Sequence, residues 1–418
     1  MNILLLCYEY PPIGGGGGVG AKQYADAWAQ RGHTVTVLTS WARGLSFREQ
    51  IEGVDIIRVR TIMRTGRATA TILSMLSYIV VGSMHVMRHK RAFRNAQIVN
   101  THFAIPTGPL GLLVSRILGI PNVLTIIGGD IYDPTKRSSP HRHVVTKWIN
   151  SSIMNAADGI IAISNDTKGR AETYYTINKE IRIINYGFIP PMLAPPKHVQ
   201  LSRDHGQYYL ISIGRLIKRK GFEYLIQCMP LLPRNVVLII VGDGPMEADL
   251  RELARTRGVD DRVIFTGYVP RAQIYEYLQN ADCFVLPSLH EGLGIVVQEA
   301  MHVGLPIVCT DNGGQTDLVK EPRNGILVKP GYIGELTGAI TRFYLDRELR
   351  GQVAENNKED IKIYYMAVNC EEYLSLFEEL IGGAAAMRLE RKPASVNTVT
   401  TGKGEAATRM WVGKTGKG

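Results

Sequence analysis

The sequence predicts an α/β fold in which two parallel-sheet domains face each other across a cleft. Three observations carry this. Apolar runs such as Asn2–Cys7 and Cys283–Leu286 show no alternation, as central parallel strands buried on both faces should. Several such runs end in a loop rich in glycine or cations before a helical pattern begins, the order of an open sheet that binds ligands at its strand carboxyl ends. A polar, proline-rich stretch from Pro190 to Gly206 separates two such series and reads as a linker.

The bulk numbers agree. At 418 residues the chain is too long for one ordinary core, and 45% hydrophobic with 21% charged residues is the balance of a globular protein. Five scattered cysteines without a C-x-x-C read as reduced core residues of a cytoplasmic protein. Met1–Cys7 is too short for a signal peptide and lacks its basic start. The net charge of +10 is uneven: +11 over residues 1–200, −6 over 201–382 and +5 over 383–418. A basic first half suits an anionic partner. With no helix-turn-helix, zinc or aromatic nucleic-acid signature, nucleic acid is set aside in favour of an anionic membrane surface.

In chain order, strand 2–7 leads through Pro11-Pro12 into five consecutive glycines, Gly14–Gly18, and then helix 21–31. Gly15, Gly17 and Gly20 fit G-x-G-x-x-G, but Thr39-Ser40 stand where a dinucleotide site needs an acid for ribose, so an NAD reading is disfavoured. Strands follow at 34–39 and 55–60. Residues 68–87 carry no formal charge; Arg64 and Arg67 precede them, and Arg88, Lys90, Arg91 and Arg94 follow. A membrane span is excluded by topology, because strand 97–101 must join the sheet of strand 2–7. A buried helix and an interfacial one both stay open. His102 and Asp130 end the next two strands on the same edge as the glycine loop, either as structural strand-end groups or as site groups. Strands at 159–164 and 181–185 complete this half.

The second half opens with strand 208–213, which ends in Gly214-Arg215-Leu-Ile-Lys218-Arg219-Lys220-Gly221. Four cations bracketed by glycines make a clamp for a diphosphate. Strands at 236–241 and 262–266 precede Gly267-Tyr268. After strand 283–286 comes the stretch on which the chain turns: Glu291 in a strand-to-helix loop, Gly292-Leu293-Gly294-Ile295, and Glu299 about two turns into the helix. Unpaired N–H groups at a helix start attract anions, and carboxylates accept from hydroxyls. Together they suit a phosphorylated polyhydroxyl ligand. Further strands lie at 306–309 and 324–328, and an amphipathic helix at 366–381. Residues 383–418 read as a disordered basic tail.

Glu291 to Glu299 resembles the E-x7-E motif of retaining glycosyltransferases of family 4, and Gly214–Gly221 resembles that family's G-R-L-x-x-x-K-G segment. The resemblance runs from the first strand to about residue 382. It departs at Leu293, where Phe is usual, and at Thr316-Asp317, where Pro-Glu is usual. It implies the GT-B architecture of two Rossmann-like domains, 1–187 on the acceptor side (with a return helix at 364–382) and 188–363 for the nucleotide-sugar. It implies Arg215 and Lys220 on the donor diphosphate, with Gly15, Gly16, Gly17, Gly292, Leu293, Gly294 and Ile295 beside it. Backbone at Gly267 and Tyr268 would hold the nucleobase, Glu299 the ribose and Glu291 the donor sugar. His102 and Asp130 would lie near the transferred sugar and a sugar or lipid-linked acceptor. No metal ligand and no cofactor beyond the nucleotide-sugar are expected, because Asp-x-Asp is absent from the sequence. The rival readings are a sugar-nucleotide epimerase of the same architecture and a non-catalytic sugar-nucleotide or lipid-binding protein.

Overall fold

The computed structural model describes residues 1–62, 71–193 and 206–390. Its first sheet collects β1 (Asn2–Cys7), β2 (Thr34–Ser40), β3 (Arg48–Ile51), β4 (Val54–Val59), β5 (Ile98–His102), β6 (Asn122–Ile126), β7 (Gly159–Ala162) and β8 (Ile181–Ile183). These are interleaved with α1 (Gly16–Gln30), α2 (Ile72–Arg88), α3 (Thr107–Leu118), α4 (Val144–Ala156) and α5 (Asn165–Tyr174). The strand order is β3-β4-β2-β1-β5-β6-β7-β8, parallel except for the edge pair β3–β4. That edge strand, REQI, is mostly solvent-facing and gave the sequence reading no apolar signal.

The second sheet contains β9 (Tyr208–Ile213), β10 (Val236–Val241), β11 (Val263–Gly267), β12 (Cys283–Leu286), β13 (Ile307–Thr310) and β14 (Ile326–Val328), in the order β11-β10-β9-β12-β13-β14. Helices α6 (Phe222–Cys228), α7 (Glu247–Thr256), α8 (Arg271–Gln279), α9 (Ile295–Val303), α10 (Gln315–Leu318), α11 (Ile333–Leu345), α12 (Arg347–Asp360) and α13 (Met366–Glu390) are the α-helices of this part among the described residues. Strands β9, β10, β12 and β13 are buried at every position, which is why they carry no alternation.

Crossover direction sorts the helices of the first sheet. The β1-to-β2 step runs opposite to the steps from β4 to β5 and on to β8, so right-handed connections put α1 on one face and α2 to α5 on the other. Side-chain packing agrees: a Cβ on Gly82 of α2 would meet Leu110 of α3 at 2.8 Å, and one on Gly108 of α3 would meet Ile153 of α4 at 2.6 Å. On the opposite face, α13 returns onto α1. Tyr373 lies 4.3 Å from Tyr24 and Phe377 5.4 Å from Trp28, ring centre to ring centre.

One expectation is corrected here, and one that stood open is narrowed. The last helix runs to Glu390, so residues 383–390 are helical where a disordered tail was expected; the rest of that stretch lies outside the described residues, as do Arg64, Arg67 and most of the proline-rich linker. Helix α2 is not simply buried. Ser74, Ser77, Tyr78, Gly82, Ser83 and Val86 face the protein while its other side is open to solvent. The five cysteines are free and buried, as core residues should be.

Candidate functional site

Gly221 sets the geometry of the cationic turn. Its φ is +65°, and a Cβ there would stand 2.2 Å from the Pro287 carbonyl oxygen, so the turn after β9 tucks against the loop after β12 only because residue 221 has no side chain. This brings Lys220 to Glu291. Lys220 Nζ donates to Glu291 Oε1 at 2.6 Å, and Ser288 Oγ donates to the same oxygen at 2.7 Å. Glu291 Oε2 takes no protein donor among the described residues. Burial alone would raise this carboxyl, but the charges of Lys220 and Arg219 hold it down at about 2. Glu291 is therefore a fixed anion.

The other cations of the turn differ among themselves. Arg215 and Lys218 are exposed, and Arg215 has no protein partner among the described residues. Arg219 is largely covered. Its Nε lies 4.0 Å from Asp133 Oδ2 of the first half and makes no hydrogen bond. Sequence reading did not single out this cross-cleft pair, because Asp133 sits in a loop without a motif.

Helix α9 begins at Ile295 behind Gly294, whose φ is +96°, and no side chain caps it. Its first N–H groups are thus left to solvent or a ligand. Leu293, expected beside the donor, has its side chain in the core at 2% exposure, which leaves only its backbone for a ligand. Glu299 is buried on α9, and Arg271 Nη2 of α8 lies 2.7 Å from its Oε1. Burial raises the Glu299 carboxyl, and Arg271 only partly opposes this. Arg271 is a second site residue that the sequence reading missed. Gly267 ends β11 with its carbonyl accepting from Gly242 N–H at 3.0 Å, and Tyr268 beyond it is 73% exposed.

From the first half, α1 starts at Gly16 behind Gly15, again with no side-chain cap. A Cβ on Gly16 would lie 3.8 Å from Ile295 Cδ1, so the uncapped ends of α1 and α9 meet across the cleft. Gly17 has no room for a side chain: its Cβ would sit 2.2 Å from Ile127 Cδ1 and 3.0 Å from the Phe103 ring. Phe103 itself has φ +77°, a left-handed conformation that costs a bulky residue about 1–3 kcal/mol.

Asp130 explains how that conformation is held. Its Oδ2 accepts from Ala104 N–H at 2.6 Å and its Oδ1 from Ile127 N–H at 3.1 Å, tying the β5 and β6 ends together. Burial lifts its carboxyl to about 6, against four backbone N–H groups that lower it. Asp130 thus shapes the edge under the glycine loop. His102 is fully buried, and desolvation drives it down to about 3, so it is neutral. Its Nδ1 lies 3.1 Å from Tyr186 Oη, which in turn donates to the Gly17 carbonyl at 3.4 Å, while His102 Nε2 has no partner.

The two halves are clasped beside the site. A Cβ on Gly292 would stand 2.2 Å from Ile127 O. Ser164 Oγ donates to the Gly292 carbonyl at 2.6 Å, and Asp317 Oδ2 accepts from Asn165 N–H at 2.8 Å. His290 Nε2 lies 2.8 Å from Asp166 Oδ2, and Arg170 Nη2 donates to Asn312 Oδ1 at 2.8 Å. The start of α5 supplies most of these contacts. Among the described residues, no three His, Cys, Asp or Glu side chains gather into a metal-binding group.

Two family models match successive stretches of the chain. One, described as Glycosyltransferase Family 4, covers residues 14–189, and the other, Glycosyl transferases group 1, covers residues 195–360. An uncharacterized glycosyltransferase of Methanocaldococcus jannaschii is 28% identical over 86% of this chain and 93% of its own length. The UDP-Gal:alpha-D-GlcNAc-diphosphoundecaprenol alpha-1,3-galactosyltransferase of Escherichia coli is 29% identical over 60% of this chain and 67% of its own. Among solved structures, sucrose-phosphate synthase from Thermosynechococcus elongatus superposes with a TM-score of 0.81 at 21% identity, covering 92% of this chain and all of that one.

Proposed function

The chain belongs to the family 4 glycosyltransferases of GT-B fold, and from that premise we propose that it moves a sugar from a nucleoside-diphosphate donor to an acceptor hydroxyl with retention at the anomeric carbon. The observation that carries the reading is the Lys220–Glu291 pair beside two uncapped helix starts. A departing diphosphate gains negative charge as the glycosidic bond breaks. Lys220, exposed Arg215 and the N–H groups of α1 and α9 would stabilise that charge in place of a metal ion. Glu291 Oε2 would accept from hydroxyls of the donor sugar, and Glu299 from ribose once Arg271 yields it. With Tyr186 Oη donating to Gly17, His102 Nδ1–H is the donor to Oη, and unpartnered Nε2 would accept from a sugar hydroxyl. The acceptor would enter from the first half, past Gly16 and the edge that Asp130 holds. A lipid-linked saccharide is the acceptor class this reading favours, met at the cytoplasmic face of a membrane; the Escherichia coli relative's name gives a diphosphoundecaprenol-linked GlcNAc for that protein.

The test is a thermal-shift screen of nucleotide-sugars, followed by turnover with the stabilising donor and NMR of the product. The expected product keeps the donor's anomeric configuration, and EDTA leaves the rate unchanged. An inverted product, or a rate that collapses without divalent metal, would remove this mechanism.

A further inference from the structure

Helix α2 is built inside out. The side that packs on the protein offers three serines, each satisfied: Ser74 Oγ lies 2.7 Å from Tyr8 Oη, Ser77 Oγ accepts from Ile62 N–H at 2.9 Å, and Ser83 Oγ donates to the Ile79 carbonyl at 2.6 Å. The side in solvent offers Ile72, Leu73, Leu76, Val80, Met84 and Met87, each 48–76% exposed. Their spacing of one, three or four residues keeps them in one stripe along a helix about 25 Å long. Contiguous apolar surface of this kind marks an interaction site.

A second helix extends the patch. Val144, Val145 and Trp148 on the first turns of α4 are 83%, 68% and 70% exposed. Helices α2, α3 and α4 lie side by side on one face of the sheet, joined through Gly82–Leu110 and Gly108–Ile153. Each follows a strand and so starts at the carboxyl edge, the cleft side. Ile72 and Leu73 therefore share that edge with Val144, Val145 and Trp148.

Charge selects the occupant. Residues 56–129 contain no Asp or Glu, nor do residues 134–157, so α2, α3 and α4 carry no carboxylate at all. Arg88, Lys90, Arg91 and Arg94 stand exposed at the far end of α2, and Lys136, Arg137 and Arg142 before α4. A second copy of this chain would bring cation against cation. An anionic bilayer supplies both apolar depth and negative head groups. Among the described residues no helix is long and apolar enough to cross a membrane, so the contact is one of lying on the surface.

We propose that the outer faces of α2 and the start of α4 together form a docking surface for an anionic lipid bilayer, which seats the cleft mouth at the membrane. The inference rests on these helices and not on the acceptor proposed above, and its test reads binding rather than transfer, so either can fail alone.

The test is sedimentation of the full chain with vesicles of mixed phosphatidylglycerol and phosphatidylcholine, and with phosphatidylcholine alone. The expected result is pelleting with the anionic vesicles at low salt, release at high salt, and little pelleting with the neutral ones. Replacing Val144, Val145 and Trp148 together with Ser, or Leu76, Val80 and Met84 together with Ser, lowers partitioning by about tenfold or more. Both sets face solvent, so melting temperatures stay at the wild-type value; a clear drop would mean that the face is packed and overturns the proposal. Tryptophan emission shifts to the blue with anionic vesicles in the wild type and not in the Trp148→Ser set. Wild-type protein that stays in the supernatant overturns the proposal. So does a concentration-dependent dimer that either Ser set abolishes, because the face would then be a protein interface.

Discussion

Lys220 and Glu291 stand 71 positions apart in the chain, yet they meet at 2.6 Å in a pocket that leaves their side chains only 12% and 8% exposed. The pair does two jobs that mutagenesis can separate. It neutralises a buried carboxylate, and it keeps a cation at the point where a diphosphate would sit. Lys220→Met removes both. Breaking a buried pair by deleting one partner costs about 3–5 kcal/mol, so the melting temperature should fall along with affinity for the nucleoside diphosphate. Arg215→Ala should cost affinity alone, about tenfold or more for a lost charge-assisted bond, because Arg215 is exposed and supports nothing. Calorimetric titration beside thermal melts reads both; equal nucleotide affinity in wild type and both variants would take the clamp out of the mechanism.

The same pair sets a pH dependence with a definite sign. Glu291 is held at about 2, below the ordinary 4.5 of a glutamate. A carboxyl depressed by folding contributes stability above its unfolded value and loses it as the pH falls toward the folded one. The stability of the wild type should therefore drop from about pH 4.5 downward in part through Glu291, and Lys220→Met should flatten that part of the curve.

Glu299 has the opposite sign. Burial raises its carboxyl, so the folded state prefers it protonated, and its contribution falls as the pH rises through the ordinary carboxylate range. At neutral pH the charged form is a cost that Arg271 offsets in part. Glu299→Gln should melt at or above the wild-type temperature at pH 7 while losing donor affinity. A variant that binds donor normally would show that Glu299 does not serve the ligand.

What the sequence made legible was local. Apolar runs marked the parallel strands of both sheets, and glycine-to-helix spacing placed Glu291, Lys220 and the Gly15–Gly17 loop at strand carboxyl ends, with Glu299 about two turns into the helix that follows. What it hid were contacts between segments far apart. Arg271, at the start of α8, reaches Glu299, and Arg219 nears Asp133, which sits in a loop with no motif. Leu293 sits in the glycine loop, yet its side chain belongs to the core. Asp130 was legible as a strand-end acid, but its two backbone partners depend on how the β5 and β6 ends are bent. The direction of α2 could not be read either, because serines and aliphatics at helical spacing fit both a buried and an interfacial helix until the packing of Tyr8 and Leu110 is known.

Asp130 offers a test of that bending. Its two acceptor bonds hold Ala104 and Ile127 around Phe103, whose backbone is left-handed and whose ring lies against Gly17. Asp130→Asn keeps one carbonyl oxygen but turns an amide N–H₂ toward a backbone donor, at a cost of about 1–3 kcal/mol. The wild-type group is lifted to about 6, so its contribution to stability declines between pH 4 and 6 as it is forced to ionise. Asn cannot ionise and should lose that decline. Turnover should fall with acceptor KM rising more than donor KM. Unchanged acceptor kinetics would make Asp130 a fold residue only.

The clasp between the halves gives the last prediction. Asp166 lies on α5 of the first half and His290 directly before Glu291 in the second, and they meet at 2.8 Å. His290 Nδ1 is buried without a partner, so the Asp166 contact is its ring's one hydrogen bond among the described residues. Asp166→Ala would leave the whole imidazole unsatisfied in the interior and release Arg170 from its ion pair. The closed arrangement should then be less populated, and a closed cleft is what excludes water and brings acceptor to donor. The expected outcome is a larger radius of gyration by small-angle scattering and a lower kcat, with donor affinity changed much less, because the diphosphate groups all lie in the second half or at the α1 start. Asp166→Asn keeps an oxygen that can accept from His290 Nε2–H and should recover part of the kcat. If Asp166→Ala scatters like the wild type and turns over normally, the clasp is a passive contact and closure is set elsewhere.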